Sequence, residues 1–554
     1  MFNSKLKTLG TAKKVAATSV SNAFVNAGMK KGSEVLSGNG SLKYSTTGNV
    51  FVDQFGVIGT YKSPRTFTEI NTDLGLTWAE DKLTAVTFAI YLRMISRKTM
   101  YLDGTMTVDP QKGAEMRHEG IMRMLSIYFR DKEVFWNNIG LFISAGSWKD
   151  IFTMLEYDLV HHNWAGRKLD WDKFGDLILS GLENSNTSDL VKKYLPQIKA
   201  ASANKTPESE AGTMIGKWLC SLLFGAKEGP VGRTYKMYRK LKSSGTAHEW
   251  QKLISQKRFD RIDFSKIHGR ALSKLVNGKF LTNQGLTSKY EAWITAPETE
   301  GVKYTGFVHE LFENMNGLDV GRTATINKQF NTLVEKDGDK GLTSLIVVRD
   351  TSASMGSQAP GTKMSCMNIG KALALYFSEF LTGSFSNNWI EFNSDAKMHQ
   401  WKGSTPVEKW QNDRSSYIGS TDFQSVVRLF VTLKDQGIPE NEFPKGILCI
   451  SDSEFNPAQL GKTNVDAARD VLRRGGFSEE YVKDFIIVLW NLQSNAYGRG
   501  TGEKFETYGN VPNVFYFSGY SASVVSFLTG EEIKTASDLF GVAMDQELLN
   551  RVSI

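Results

Sequence analysis

A chain of 554 residues, 41% of them hydrophobic, is too long for one ordinary domain and apolar enough to bury real cores, which excludes wholesale disorder. Its three cysteines, Cys220, Cys366 and Cys449, cannot form a disulfide framework and read as reduced, mostly buried thiols; no run of 18 apolar residues marks a membrane span, and the first residues lack the apolar centre of a secretory leader. The net charge of +7 is uneven: residues 1–340 hold 47 Lys and Arg against 35 Asp and Glu (+12), residues 341–554 hold 19 against 24 (−5), and 201–280 alone hold 16 against 6, so the first part suits an anionic partner.

Residues 1–48 are rich in Gly, Ser, Thr, Ala and Lys, with the first acid at Glu34. They read as a flexible basic tail, or as a basic arm that docks on a partner or on nucleic acid; the absence of Arg argues against a mitochondrial presequence. A helical domain is assigned to 49–335, its pattern clearest from about 66 to 325. Ile121, Met124, Leu125 and Tyr128 fall at i, i+3, i+4 and i+7, and a Gly-Ser break at 146–147 precedes another amphipathic run, WKDIFTMLEYDL. Such helix–turn–helix units continue to YEAWI at 290–294 and predict a stack of helical hairpins like a HEAT-type solenoid.

Across VEKDGDKG near 335–341 the texture changes, and 341–554 is assigned to an α/β domain. GLTSLIVVRD is a buried-strand pattern, and a helix follows with Ile369, Leu373, Tyr376, Phe377 and Phe380 on one stripe. GILCISD, FIIVLW and VFYFSG supply further apolar strands, mostly separated by helical segments, which predicts a doubly wound parallel sheet. The fold class expected is therefore α plus α/β in a multidomain chain.

The chemistry-bearing pattern is Asp350-Thr-Ser352-Ala-Ser354, directly after the first of these strands. Ligands of open α/β sheets sit at the carboxyl ends of strands. Thr421, in the loop GSTDF, and Asp452, ending GILCISD, are expected at the same edge. Hard oxygen donors with few formal charges suit Mg²⁺ (or Mn²⁺). A second pattern interleaves bases and aromatics between 233 and 280: Arg233, Tyr235, Lys236, Tyr238, Arg239, Lys240 and Lys242, then Lys257, Arg258, Arg261, Lys266, His268, Arg270 and Lys274. Cations neutralise phosphates and aromatic faces stack on bases, so these form a candidate nucleic-acid surface; the competing reading is a solvated helical face with its aromatics turned inward. HExxH, paired CxxC and GxSxG motifs are missing. Gly356–Gly361 has P-loop spacing, but Thr362 stands where Lys is needed, and adjacent His161 and His162 are poorly spaced as ligands from one helix face.

The pattern DxSxS, with a loop Thr and a strand-ending Asp, resembles the metal-ion-dependent adhesion site of von Willebrand factor A domains. The resemblance implies a Rossmann-like A domain over 341–554. Ser352, Ser354 and Thr421 would ligate the metal through hydroxyls, while Asp350 and Asp452 act through metal-bound water and hydrogen bonds. It also implies an open position that accepts a carboxylate from a partner protein. Ala353 stands where many relatives have Gly, at a side chain that is not a ligand. The helical region adds YFRDKEVFWNNIGLFISAGSWKDIF at 128–152, KWLCSLL at 217–223, YRKLKSSGTAHEWQKLIS at 238–255 and DFSKIHGRALSKL at 263–275. With ISDSEF at 450–455, VLWNL, and SGYSASVVSFL near the end, these are similar to the Ro ribonucleoprotein (TROVE) architecture, and closer still to a relative found in plants, bacteria and large viruses. The resemblance covers roughly 65–554. It implies a non-enzymatic RNA-binding component that holds single-stranded ends in a helical ring and a structured small RNA on a basic outer face. The rival expectation is a structural or scaffold protein of an assembly such as a virus or phage particle, with a metal-dependent hydrolase a distant third. The setting expected is cytoplasmic, or the virion if the chain is virally encoded, with no membrane partner.

Overall fold

The computed structural model describes residues 34–36, 42–44, 46–57, 65–199, 206–225, 232–245, 248–267, 269–304, 306–337, 345–413, 415, 419–452, 455–458, 462–493, 511–520 and 533–554. Most of the expected tail therefore lies outside the described residues. Within it, β1 (Glu34–Leu36) and β2 (Leu42–Tyr44) pair antiparallel.

The first two-thirds of the described chain is helical: α1 (Val50–Val57), α2 (Phe67–Glu80), α3 (Lys82–Arg93), α4 (Arg117–Arg130), α5 (Lys132–Ala145), α6 (Lys149–His162), α7 (Trp171–Glu183), α8 (Ser188–Tyr194), α9 (Pro207–Phe224), α10 (Gly232–Ser244), α11 (Glu249–Ser255), α12 (Gly269–Asn277), α13 (Phe280–Asn283), α14 (Thr287–Thr295) and α15 (Val320–Asp337). Capping chemistry sets the hairpin breaks. Asp81 ends α2 and accepts from Thr84 N to start α3, and Asp131 does the same between α4 and α5 through Val134 N. The aspartate side chain satisfies an otherwise unbonded backbone N–H of the new helix while its extended backbone turns the chain. The stripe Ile121, Met124, Leu125 and Tyr128 is buried, as its period requires.

The remainder holds a six-stranded sheet built from β3 (Leu345–Asp350), β4 (Asn388–Phe392), β5 (Ala396–Gln400), β6 (Gly446–Ser451), β7 (Ile486–Asn491) and β8 (Val514–Ser518). The spatial order is β5-β4-β3-β6-β7-β8, with only edge strand β5 antiparallel. Alternation sorts the side chains of β3: Ile346 and Val348 join one apolar layer, Leu345 and Val347 the other. α16 (Cys366–Ser378) covers the second face, whereas α18 (Gln424–Asp435), α19 (Asn464–Arg474) and α20 (Glu479–Asp484) cover the first. The chain is thus α plus α/β, and helices flank both faces of a mostly parallel sheet. Strands β4 and β5 lie in a stretch where the sequence shows no apolar run; NWIEF and AKMHQ carry Asn, Glu, Lys and His on a strand pair at the sheet margin.

The two parts share one core. α17 (Pro406–Asn412) sits on α15: Val407 N donates to Asn327 Oδ1 at 3.0 Å, and Trp410 stacks on Phe312 with ring centroids 4.5 Å apart. The segment after the sheet, beginning with α21 (Ala536–Met544), returns to the helices. Phe540 inserts between Phe51, Phe55 and Phe88, at 5.7, 5.6 and 5.6 Å. Beyond it Asn138 Oδ1 accepts from Ser553 N, and Gln546 Oε1 accepts from Lys112 N. Residues 536–554, which the sequence division places with the α/β part, therefore pack against α1, α3 and α5.

Candidate metal centre and nucleic-acid surface

Strand β3 lies between parallel neighbours β4 and β6, so their carboxyl ends form one edge. Asp350 closes β3, and because Arg349 pairs with Ile450, Ser451 of β6 falls beside it. Ser451 Oγ donates to Asp350 Oδ2 at 2.5 Å, while Ser352 N donates to Oδ1 at 2.8 Å. The next turn, Ala353–Gly356, brings Ser354 Oγ within 3.0 Å of Ser352 Oγ. Asp452 follows β6 by one residue.

Thr421 reaches this edge because its loop is held from two sides. Asp422 N donates to Asn393 O at 2.8 Å, just past β4, and Asn456 N donates to Thr421 O at 2.8 Å, just past β6. Asn456 Oδ1 also accepts from Thr421 N at 3.4 Å. The loop thus sits over the end of the strand that β4 and β6 flank. Asp350, Ser352, Thr421 and Asp452 are each no more than 3% exposed, whereas Ser354 is half-buried.

Electrostatics favour a cation here. Burial raises the Asp350 carboxyl pKa, and the nearby Asp452 raises it further; the bonds from Ser451 and Ser352 oppose both. The charge weighing most on Asp350 is another carboxylate, so a divalent ion would relieve the repulsion. Among the described residues no three His, Cys, Asp or Glu side chains gather as a group that could hold a metal ion. The donors are instead hydroxyls and two carboxylates, which fit a hard ion that retains waters.

The cations of the candidate nucleic-acid surface fall into two groups. On α10, Arg233, Lys236, Arg239 and Lys240 are exposed. Tyr238 is buried and its hydroxyl donates to Pro196 O at 2.9 Å, so this ring offers no face for a base. Lys242 departs from its expected role: its ammonium donates to the carbonyls of Lys193 and Leu195 and is half-buried, and burial lowers its pKa. It closes the end of α8 rather than facing a phosphate. The second group, Lys257, Arg258, Arg261, Lys266, Arg270 and Lys274, surrounds a separate small core of Ile262, Phe264, Ile267, Leu272, Tyr290 and Ile294. Arg270 is bidentate to Glu310 at 2.8 and 2.9 Å, which occupies its guanidinium. His268 lies outside the described residues.

Sequence reasoning missed Ser451, Asn393 and Asn456, the residues that hold the ligand-bearing loops together. It also missed a buried ion cluster next to the site. Arg349 donates to Asp413 at 2.8 Å and bonds Ser415, Lys371 lies 3.3 Å from the same carboxylate, and the Arg349 guanidinium lies over the Trp389 ring at 4.1 Å. An Arg inside an otherwise apolar strand, LIVVRD, was the available signal.

Two comparisons with known proteins bear on this region. Residues 344–551 match a family described as Domain of unknown function (DUF7788). Over 553 residues the chain is 23% identical to Uncharacterized protein L728 of Acanthamoeba polyphaga mimivirus, covering 93% of this chain and 88% of that protein. Among the described residues no helix is long and apolar enough to cross a membrane.

Proposed function

We propose that the chain is a non-enzymatic, Ro-like binding protein. Its α/β part is read as a von Willebrand factor A domain with a Mg²⁺ or Mn²⁺ site for an acidic side chain of a partner protein. Its helical part is read as a HEAT-like repeat domain for RNA. The observation that carries the reading is the meeting of three loops, bearing Asp350, Ser352, Ser354, Thr421 and Asp452, at one carboxyl edge. The strand order supports it, since the chain runs outward from β3 through β4 to β5 and then returns to β6 on the other side of β3, the kind of switch point where open α/β sheets take their ligands. When bound, Mg²⁺ would supply a point of positive charge with one exchangeable position. Ser352, Ser354 and Thr421 would hold it by hydroxyls, with Asp350 and Asp452 orienting its waters. A Glu or Asp of a partner protein would then be attracted to that charge. The α/β part's own charge of −5 opposes such a partner only weakly, because salt screens over about 8 Å.

Calorimetry with Mn²⁺, then with a Glu-containing peptide with and without EDTA, tests this. The wild type is expected to bind the metal, and the peptide only in its presence. Asp350→Ala is expected to weaken the metal by about 100-fold. Equal metal affinity in both proteins overturns the assignment.

The RNA reading rests on the exposed cations of α10. Neutralising Arg233, Lys236, Arg239 and Lys240 together is expected to flatten log affinity for RNA against log salt by up to about 0.7–0.9 per lost contact, and Lys242→Gln to leave the slope unchanged. A slope that ignores the fourfold change would make these ordinary solvated side chains. The second reading is a structural or scaffold protein of an assembly. A defined assembly with partner proteins, free of nucleic acid, would favour it.

A further inference from the structure

The three loops of the candidate metal centre are not equivalent. Two of them, carrying Asp350 and Thr421, are each bonded to the segment that leaves β6, and that segment also carries Asp452. At its start, Ser451 is 1% exposed and spends its hydroxyl proton on Asp350 Oδ2. Four residues past Asp452, Asn456 brackets Thr421 by a main-chain donor and a side-chain acceptor. Asn456 is itself fixed, since its carbonyl accepts from Asn464 Nδ2 at 3.1 Å at the start of α19.

We propose that Ser451 is a positioning residue for the metal centre, with Asn456 in a lesser supporting role. This deepens the metal reading above and rests on it. A carboxylate that acts on a metal through water must present its lone pairs in a fixed direction, because Mg²⁺ demands near-octahedral geometry. Asp350 is fully buried, and its side chain would swing away from the edge if nothing held it there. Ser352 N fixes only Oδ1, and that bond forms within the same loop, so it cannot set the loop's place relative to β6. The β3–β6 ladder sets the spacing of the two loops, and the Ser451 hydroxyl, reaching Oδ2 from the neighbouring strand, sets the direction in which the Asp350 carboxylate faces. Partners that orient metal ligands in this way commonly change metal affinity by about 10–100-fold. Asn456 contributes less by its side chain, because its main-chain N–H holds Thr421 whatever the side chain is.

The test uses the full chain and Mn²⁺ as the probe. Mn²⁺ affinity is read by calorimetry and by the metal-induced rise in melting temperature over each variant's own EDTA baseline, so that general destabilisation cancels. Ser451→Ala is expected to weaken Mn²⁺ by about tenfold or more. Ser451→Cys, which keeps the volume and offers only a weak S–H donor, is expected to do the same. Ser451→Thr, which keeps the hydroxyl and suits a strand, is expected to stay within about twofold of the wild type, and Asn456→Ala to lose about threefold. A Ser451→Ala or Ser451→Cys protein that melts lower in EDTA yet keeps the wild-type metal affinity overturns the proposal, leaving Ser451 a structural residue and the metal reading intact. A wild type that takes up no Mn²⁺ overturns the metal reading itself.

Discussion

Replacing Phe540 by alanine is expected to lower stability by about 3–5 kcal/mol, the cost of emptying a well-packed aromatic site. Phe540 is 8% exposed and touches three rings from two helices, Phe51 and Phe55 on α1 and Phe88 on α3. Edge-on contacts at 78° and 81° to Phe88 and Phe55 add to the burial term. The loss should appear in probes of the helical part as well as of the sheet, because α21 follows the sheet in sequence but packs on the helices. Val542, on the same helix and 42% exposed, is the control: Val542→Ala should change stability by no more than about 0.5 kcal/mol. Urea denaturation measures both. A Phe540→Ala loss below about 1 kcal/mol would mean that this contact does not hold the two parts together.

Asp413→Ala is expected to be as damaging, for an electrostatic reason. Asp413 is the shared carboxylate of Arg349 and Lys371, whose side chains are 1% and 9% exposed. Removing it leaves two buried cations facing each other, at a cost of about 3–5 kcal/mol. Burial acts to raise the Asp413 carboxyl pKa, but Arg349 and then Lys371 override it, and the group is held below the ordinary carboxylate range. A depressed carboxylate contributes stability that is fully present above about pH 4 and is lost as pH falls through its folded-state value. The acid-side slope of stability against pH should therefore be shallower in Asp413→Asn than in the wild type. Identical slopes would show that Asp413 keeps an ordinary carboxyl.

What the sequence made legible was local. The change at 341 from an i, i+3, i+4 pattern to Val- and Ile-rich runs reads as a change from helices to buried strands, because each period reports which neighbours a backbone presents to the core. The strands β3, β6, β7 and β8 were visible for that reason; β4 was not, since Glu391 faces inward only by pairing with His399 at 2.7 Å and bonding Thr351 at 3.0 Å. The return of Phe540 was hidden because nothing in its own neighbourhood says that its partners are some 450 residues earlier. Lys242 shows the same limit for charge: in KLKSSG it is one more base, and only the approach of α8 turns it inward. Among the site residues, those with distinctive chemistry could be read from spacing, whereas Ser451 looked like a small residue ending an apolar strand.

The Phe540 contact also bears on the order of synthesis. Chains are made at about 5–20 residues per second, and N-terminal units generally fold first. Here the ring that completes the pocket of Phe51, Phe55 and Phe88 emerges about 450 to 490 residues after them, on the order of tens of seconds later at that rate. For that interval the growing helical part carries an open aromatic pocket. Such a surface recruits holding chaperones or misassembles with neighbouring nascent chains, so the yield of folded protein depends on how well this one pocket is shielded during translation.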